Sequence, residues 1–252
     1  MFYMITFSPA GGTKRCANYL ASAWTERKKQ IDLINRVDHF DEYEFTADDI
    51  CLVAVPVFSG RVPSVAAERI KMLRGNGAKA IAVAVYGNQL YGDTLLELSE
   101  ILRNDGFRVM AAAATIAQHS VAGEFAPGRP DADDIIQLKE WSVQIKQKLE
   151  SHEEAEAFPP SRHYREAHDT PVTPRTDRSL CAYCGVCVSR CPTDAILREN
   201  PDQTDVDKCI FCMGCVSICP RGARTVEPEI LAKAKLALQD ECAERKENEL
   251  FL

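Results

Sequence analysis

Asp49-Ile50-Cys51-Leu52-Val53-Ala54-Val55 is a near-continuous apolar run. A strand with one wet face alternates apolar and polar residues. An unbroken run is what a strand buried on both faces needs, and such strands belong to parallel sheets with helices on either side. Working outward, residues 2–7, 79–86 and 107–117 show the same character, and residues 31–35 can form a second strand in chain order. Helical spacing fills the intervals. Residues 13–29 place Ala17, Leu20, Ala21 and Trp24 on one face, and residues 63–74 end at Gly75-Asn76-Gly77. Residues 93–104 start at Asp93 as N-cap. Residues 131–150 carry Asp131, Asp133 and Asp134 in the first turn and Lys139, Lys146 and Lys148 later, which suits the helix dipole at both ends. Five strands separated by helices predict an α/β doubly wound parallel sheet over residues 1–150.

Beyond residue 150 the composition changes. Residues 151–178 hold four prolines and many charges and read as a linker. Residues 179–228 form a small cysteine-rich unit. Residues 229–252 read as a charged helix with Ile230, Leu231, Leu236 and Leu238 available for docking. Within the first unit, residues 119–130 make a long loop. The net charge of −7 argues against nucleic-acid binding through phosphate contacts. No apolar stretch approaches the roughly 18 residues of a membrane helix, and residues 1–7 read as a strand and not as a signal peptide. The expected setting is therefore a reducing cytoplasm, where cysteines bind metal more often than they cross-link.

Eleven cysteines are present, and eight fall in two runs. The first is Cys181-Ala-Tyr-Cys184-Gly-Val-Cys187-Val-Ser-Arg-Cys191-Pro192, the second Cys209-Ile-Phe-Cys212-Met-Gly-Cys215-Val-Ser-Ile-Cys219-Pro220. Both have the form C-x2-C-x2-C-x3-C-P. Every cysteine of the second run stands 28 residues after its counterpart, as do Pro220 after Pro192 and Ala223 after Ala195, so the segment is an internal duplication. Three thiolates two residues apart wrap three corners of a four-iron cubane, and the proline turns the fourth cysteine toward the other cluster. The expected sets for two [4Fe–4S] clusters are Cys181, Cys184, Cys187 and Cys219 for cluster one, and Cys209, Cys212, Cys215 and Cys191 for cluster two. Zinc, which favours two C-x2-C pairs, does not explain a four-cysteine run found twice. Arg190, Arg221 and Arg224 are candidates for docking an acidic redox partner. Cys51 reads as inert packing, and Cys16 as packing or as a thiol acidified by the first helical turn.

In an open parallel sheet, ligands bind beyond the carboxyl ends of strands where strand order reverses. Three loops occupy such positions. Ser8-Pro9-Ala10-Gly11-Gly12-Thr13 precedes the first helix and combines hydroxyls, backbone N–H groups and a helix start into a phosphate site. Pro56-Val57-Phe58-Ser59-Gly60 follows the third strand, and Tyr86-Gly87-Asn88-Gln89-Leu90-Tyr91-Gly92-Asp93 the fourth. Phe58 and Tyr91 are candidates for stacking on a flat ring, with Pro56, Val57, Ser59, Gly60, Tyr86, Gly87, Asn88, Gly92 and Asp93 around it. His119 can face that ligand or serve packing.

The cysteine segment resembles two-cluster bacterial-type ferredoxins, and the first 150 residues resemble flavodoxins. The whole chain is similar to the flavodoxin–ferredoxin fusion proteins of anaerobes. That resemblance implies the sheet order 2-1-3-4-5, FMN rather than FAD, and single-electron transfer at low potential. Against the flavodoxin phosphate loop [ST]-x-[ST]-G-x-[ST], Ser8, Gly11 and Thr13 match, while Ala10 lacks the middle hydroxyl and Pro9 has no N–H to donate. Three functions are expected from this: a conduit passing single electrons between clusters, FMN and a redox protein partner; a flavin-dependent reductase with its own small acceptor; or a ferredoxin with a flavin-free docking domain. No G-x4-G-K-[ST] loop points to ATP-driven chemistry. A homodimer is left open.

Overall fold

The computed structural model describes residues 1–25, 28–150, 153, 155 and 172–252. The first unit is a parallel sheet built from β1 (Phe2–Thr6), β2 (Lys28–Asp32), β3 (Ile50–Pro56), β4 (Lys79–Tyr86) and β5 (Arg108–Ile116). Their order is 2-1-3-4-5 and every neighbour is parallel, which is the flavodoxin arrangement. The four central strands are buried over nearly their whole length, because helices cover both faces. On one face α2 (Ser64–Ile70) and α3 (Thr94–Asn104) pack over Ile5, Phe7, Val53 and Val55. On the other, α1 (Gly12–Leu20) and α4 (Ala132–Lys148) pack over Met4, Leu52, Ile81 and Val83. Alternate residues of each strand supply the two cores. Asp131 caps α4 through its side chain, and Asp134 answers as the other half of a capping box.

Three expectations are corrected. The first helix stops at Leu20, where apolar periodicity reaches Trp24. The chain leaves the helix because the Ser142 hydroxyl takes the Ala23 amide at 2.9 Å, and Trp24 stacks on Phe2 from a turn, 4.6 Å between ring centres. The second strand runs over Lys28–Asp32 rather than 31–35; it is the sheet edge, and of its five residues only Ile31 is buried. Residues 229–252 are not one helix. After α7 (Pro228–Leu238) the chain crosses back and β8 (Glu249–Phe251) joins β5 antiparallel as a sixth strand. It covers the Ala112–Ala114 edge of β5, which would otherwise present an open row of backbone groups. Most of the 151–178 stretch read as a linker lies outside the described residues.

The cysteine-rich unit carries its duplication into the backbone. β6 (Arg175–Thr176) pairs antiparallel with β7 (Arg224–Thr225) so that Thr176 faces Arg224. The bridge between Ile196 and Thr204 is the same pairing displaced by 28 residues. Helices α5 (Val186–Ser189) and α6 (Gly214–Ile218) begin 28 residues apart. Left-handed backbone recurs at Tyr183 and Phe211, at Gly185 and Met213, and at Asp194 and Gly222. Non-glycine residues accept that conformation at a cost of about 1–2 kcal/mol each. Its recurrence shows that the loop geometry, and not the residue type, is what the two halves share. Among the described residues no helix is long and apolar enough to cross a membrane.

Candidate functional site: a cleft beside two cysteine-lined loops

The loops after β1, β3 and β4 meet in one cleft of about 1860 Å³. Of the residues expected there, all line it except Ser8, Asn88, Tyr91, Gly92 and Asp93. At one end stands the start of α1. Gly11, the N-cap residue, is left-handed (φ 90°) and has no side chain to cap the helix, and the first turn holds no acidic residue. The amides of Gly12 and Thr13 have no acceptor within the helix, as at any helix start. With the buried Thr13 hydroxyl they suit an anionic group. Ser8 is turned away: its hydroxyl accepts the Lys14 amide at 2.9 Å. Space at Gly12 is tight, since a Cβ there would sit 3.0 Å from the Ala117 Cβ.

The wall after β3 is a tight hairpin. Phe58 and Arg61 exchange backbone bonds of 3.0 and 2.9 Å, with Ser59 and Gly60 both at positive φ between them. Arg61 locks it by a two-pronged contact with Glu97 at 2.8 and 2.7 Å, and Oε2 of Glu97 also accepts the Val62 amide. Phe58 lines the cleft on this hairpin. Gly92 packs behind it, where a Cβ would meet the Gly60 carbonyl at 2.7 Å.

The loop after β4 is divided. Tyr86 and Gly87 face the cleft, while Asn88 and Tyr91 hold the C-terminal tail. The buried Asn88 amide donates to the carbonyls of Cys242 and Glu244 and accepts from the Lys246 amide. The Tyr91 hydroxyl donates to Glu249 at 3.0 Å, and burial together with that carboxylate pushes its pKa up. Tyr91 therefore meets Tyr86 edge-on and anchors β8 instead of walling the cleft. The signal for these partners lies about 155 residues downstream, out of reach of local sequence reading.

His119 lines the cleft beside Gly87, so close that a Cβ on Gly87 would be 2.5 Å from its ring. Its Nδ1 accepts the amides of Val121 and Ala122 at 3.2 and 3.1 Å, which places the proton of the neutral ring on Nε2. Burial lowers its pKa and keeps it neutral. Cys16 lies outside the cleft as a packing residue: it is fully buried, its thiol points to the Ile116 carbonyl at 3.7 Å, and burial pushes its pKa up to about 11 rather than down. Cys51 is raised for the same reason.

One of the two expected cysteine sets shares a cavity. Cys181, Cys184, Cys187 and Cys219 line one small cavity together. Among the described residues no three ligating side chains converge on a single ion. The Cys191 sulfur accepts the Ala195 amide at 3.3 Å and the Cys219 sulfur the Ala223 amide at 3.2 Å, the same contact in both halves. Burial raises the Cys212 thiol to about 12. At Cys219 burial also raises, but the backbone amides of residues 221–224 outweigh it and hold the thiol below its ordinary value. Amides aimed at sulfur are what a bound iron–sulfur cluster needs.

The second cysteine loop is pressed against the sheet unit. A Cβ on Gly214 would lie 3.1 Å from the Pro9 Cβ and 3.5 Å from the Cys212 sulfur. Ser217 donates to the Ala10 carbonyl, Ile210 packs on the sheet core, and Cys212 and Met213 line the cleft. The Cys191-Pro192 turn is held as well: Arg69 donates to the Pro192 carbonyl at 2.7 Å, Arg190 pairs with Asp32 at 2.9 Å, and Arg36 pairs with Asp194. The first loop faces outward, with Cys184 exposed and Tyr183 56% accessible. Of three arginines expected to dock a partner, Arg224 is 2% exposed and Arg190 is engaged with the sheet unit, which leaves Arg221. Gly214→Ala is expected to destabilise the protein by about 1–3 kcal/mol, because the added methyl must push apart two loops already in contact. The denaturant midpoint reads this, and an unchanged midpoint would show that the loops do not press on each other.

The family model of the 4Fe-4S dicluster domain matches residues 173–220. No curated protein matches the sequence. Among solved structures, a flavodoxin from the domain Archaea is 16% identical, with a TM-score of 0.40 over 60% of this chain and 99% of that one. Flavodoxin 1 of Bacillus cereus is 16% identical, with a TM-score of 0.42 over 58% and 97%. The apo form of an NADH:FMN oxidoreductase is 19% identical, with a TM-score of 0.44 over 59% and 88%. Strand order and cysteine pattern stand on their own: the chain joins a flavodoxin-like sheet to a ferredoxin-type 4Fe-4S unit, and it carries iron–sulfur electron-transfer machinery.

Proposed function

We propose that the protein passes single electrons between a redox protein partner and a bound FMN through two [4Fe–4S] clusters, in the order partner, cluster one, cluster two, flavin. The observation that carries this reading is the contact of Gly214 with Pro9, which sets the second cysteine loop against the start of the phosphate loop. The outward-facing Cys184 and Tyr183 leave the first loop for the partner. FMN, when bound, exchanges electrons singly with clusters and in pairs with other acceptors. The residues suit it. The open start of α1 with Thr13 takes the phosphate, and Phe58 on its locked hairpin offers a ring face. The missing hydroxyl at Ala10 and the engaged Ser8 weaken the phosphate hold, while Gly12 and Thr13 keep it. The setting we assign is the cytoplasm.

Anaerobic purification and acid release of the bound groups test it. The expected content is about eight irons and one FMN per chain. Eight irons without flavin, after incubation with FMN, would reduce the sheet to a docking domain.

A second reading has one observation in its favour. A cleft of about 1860 Å³ exceeds the roughly 300–1,000 Å³ of a single-ligand pocket. Beyond the loops it is lined by Ile230, Ala234 and Leu238 of α7 and by His119. A small apolar acceptor with a hydrogen-bond-accepting oxygen would meet the Nε2–H of His119 there. Saturable turnover of such an acceptor that is lost in His119→Leu would favour a reductase, and unsaturable leakage the conduit.

A further inference from the structure

At one position the duplication sets a buried apolar residue against a buried charged one. Ile196 of the first half, 28 residues before Arg224, is an ordinary core residue at 2% exposure. Arg224 is equally buried and carries a charge. Its Nη1 donates to the Thr176 hydroxyl at 2.8 Å and its Nη2 to the Thr204 hydroxyl at 2.7 Å. Nη2 also reaches the Cys215 sulfur at 3.5 Å. The Nε–H is buried with no partner among the described residues, on a side chain that lines the cavity of Cys181, Cys184, Cys187 and Cys219. Arg175 and Arg178 nearby pair with Glu227 and Asp202, but no carboxylate pairs with Arg224 among the described residues. A buried cation without a counter-ion, and with an orphaned donor, costs several kcal/mol. An anion on either side removes that cost, and a four-iron cluster with four thiolates is an anion that gains one more charge on reduction.

We infer that Arg224 is the shared counter-charge of both clusters, touching cluster two through Cys215 and facing cluster one with its Nε–H, and that it raises both reduction potentials. The inference rests on the two-cluster reading. A cation stabilises the reduced, more negative form, so its removal lowers the potential.

The experiment compares wild-type protein, Arg224→Lys and Arg224→Met, prepared without oxygen. Iron is counted first: about eight per chain upholds the two-cluster reading, whatever the potentials then prove to be. Each protein is next titrated electrochemically with EPR detection. At fixed potential, Arg224→Met is expected to lose at least tenfold in the ratio of reduced to oxidised cluster, 59 mV for one electron, and Arg224→Lys is expected to keep most of the wild-type value. A fully loaded Arg224→Met protein with unchanged potentials overturns the inference. Should that variant not assemble, wild-type protein labelled with 15N-arginine decides by pulsed EPR of the reduced clusters. A nitrogen coupling lost in Arg224→Lys supports the contact, and an absent or unchanged coupling overturns it.

Discussion

Cys191→Ala is expected to give the same defect as Cys212→Ala, although the two cysteines lie in different motifs. In the crossed arrangement Cys191 closes the set of Cys209, Cys212 and Cys215, and Cys219 closes the set of Cys181, Cys184 and Cys187. The cavity lined by the latter four, without Cys191, is the geometric basis of this pairing. Iron should fall from about eight per chain to about four in both variants, with the same EPR signal missing. Cys219→Ala should match Cys184→Ala in the same way. In that arrangement each half also donates one cysteine across the pseudo-symmetry axis. The surviving cluster should therefore be more easily lost on dilution or exposure to oxygen than in the intact protein. Defects that group by motif, with Cys191 behaving like Cys184, would sink the crossed assignment. The defects should also differ in their effect on the sheet unit. The Cys191-Pro192 turn and the Cys212 loop both press on it, through Arg69 and Pro9, so losing that site should loosen the junction of the two units. Losing the outward site should leave the junction intact.

An element is legible in the sequence to the extent that its own residues, and not its neighbours, decide its form. β4 matches its expected bounds because an unbroken apolar run is flanked by Gly77 before it and Gly87 after it, and both faces are buried. β2 departs from its expected bounds because an edge strand needs only one buried residue, and Lys28, Lys29 and Gln30 give no strand signal. β8 is invisible to periodicity for a stronger reason. Three residues carry no period, and what makes them a strand is the open edge of the alanine-rich β5. The loops of the cleft are legible because strand order alone fixes where such a site forms. The roles of single residues within them are not. Asn88 and Tyr91 have the right chemistry for a ligand wall, and they spend it on a tail more than 150 residues away in the chain. Arg224 shows the same limit: a charge count places it on a surface, and only the packing of β6 against β7 puts it between the cysteine loops.

Asp134→Ala is expected to cost about 3–5 kcal/mol, the penalty for leaving a buried guanidinium without its partner. Arg129 and Asp134 are 3% and 2% exposed and meet through both carboxylate oxygens, with Nε at 2.7 Å from Oδ2. The pair is the hub of the tail. Arg129 donates to the Lys246 carbonyl at 2.7 Å, and Asp134 accepts from Asn248 and from the Asp131 amide, both at 2.9 Å. Losing the carboxylate therefore opens the capping box of α4 and one anchor of β8 together. In thermal melts at neutral pH the loss should appear as about 2–4 °C per kcal/mol. Hydrogen exchange should accelerate at Glu249–Phe251 and at Ala112–Ala114, the two sides of that ladder. The pH dependence has a definite sign. Burial raises the Asp134 pKa, but the bonds from Arg129, Asp131 and Asn248 outweigh it and hold the carboxyl below its ordinary value. Arg245 and the Asp134 amide hold Asp131 near 2. A depressed folded-state pKa contributes stability above the unfolded value of about 3.9 and loses it as pH falls through the folded one. Wild type and Asp134→Ala should thus differ by a constant amount between pH 7 and pH 5, and the gap should close only below about pH 4. A loss under about 1 kcal/mol at pH 7, small for a broken buried pair, would show that water reaches Arg129 when its partner is gone, and that the tail is held by its other anchors, among them Asn88, Tyr91 and the β5 edge.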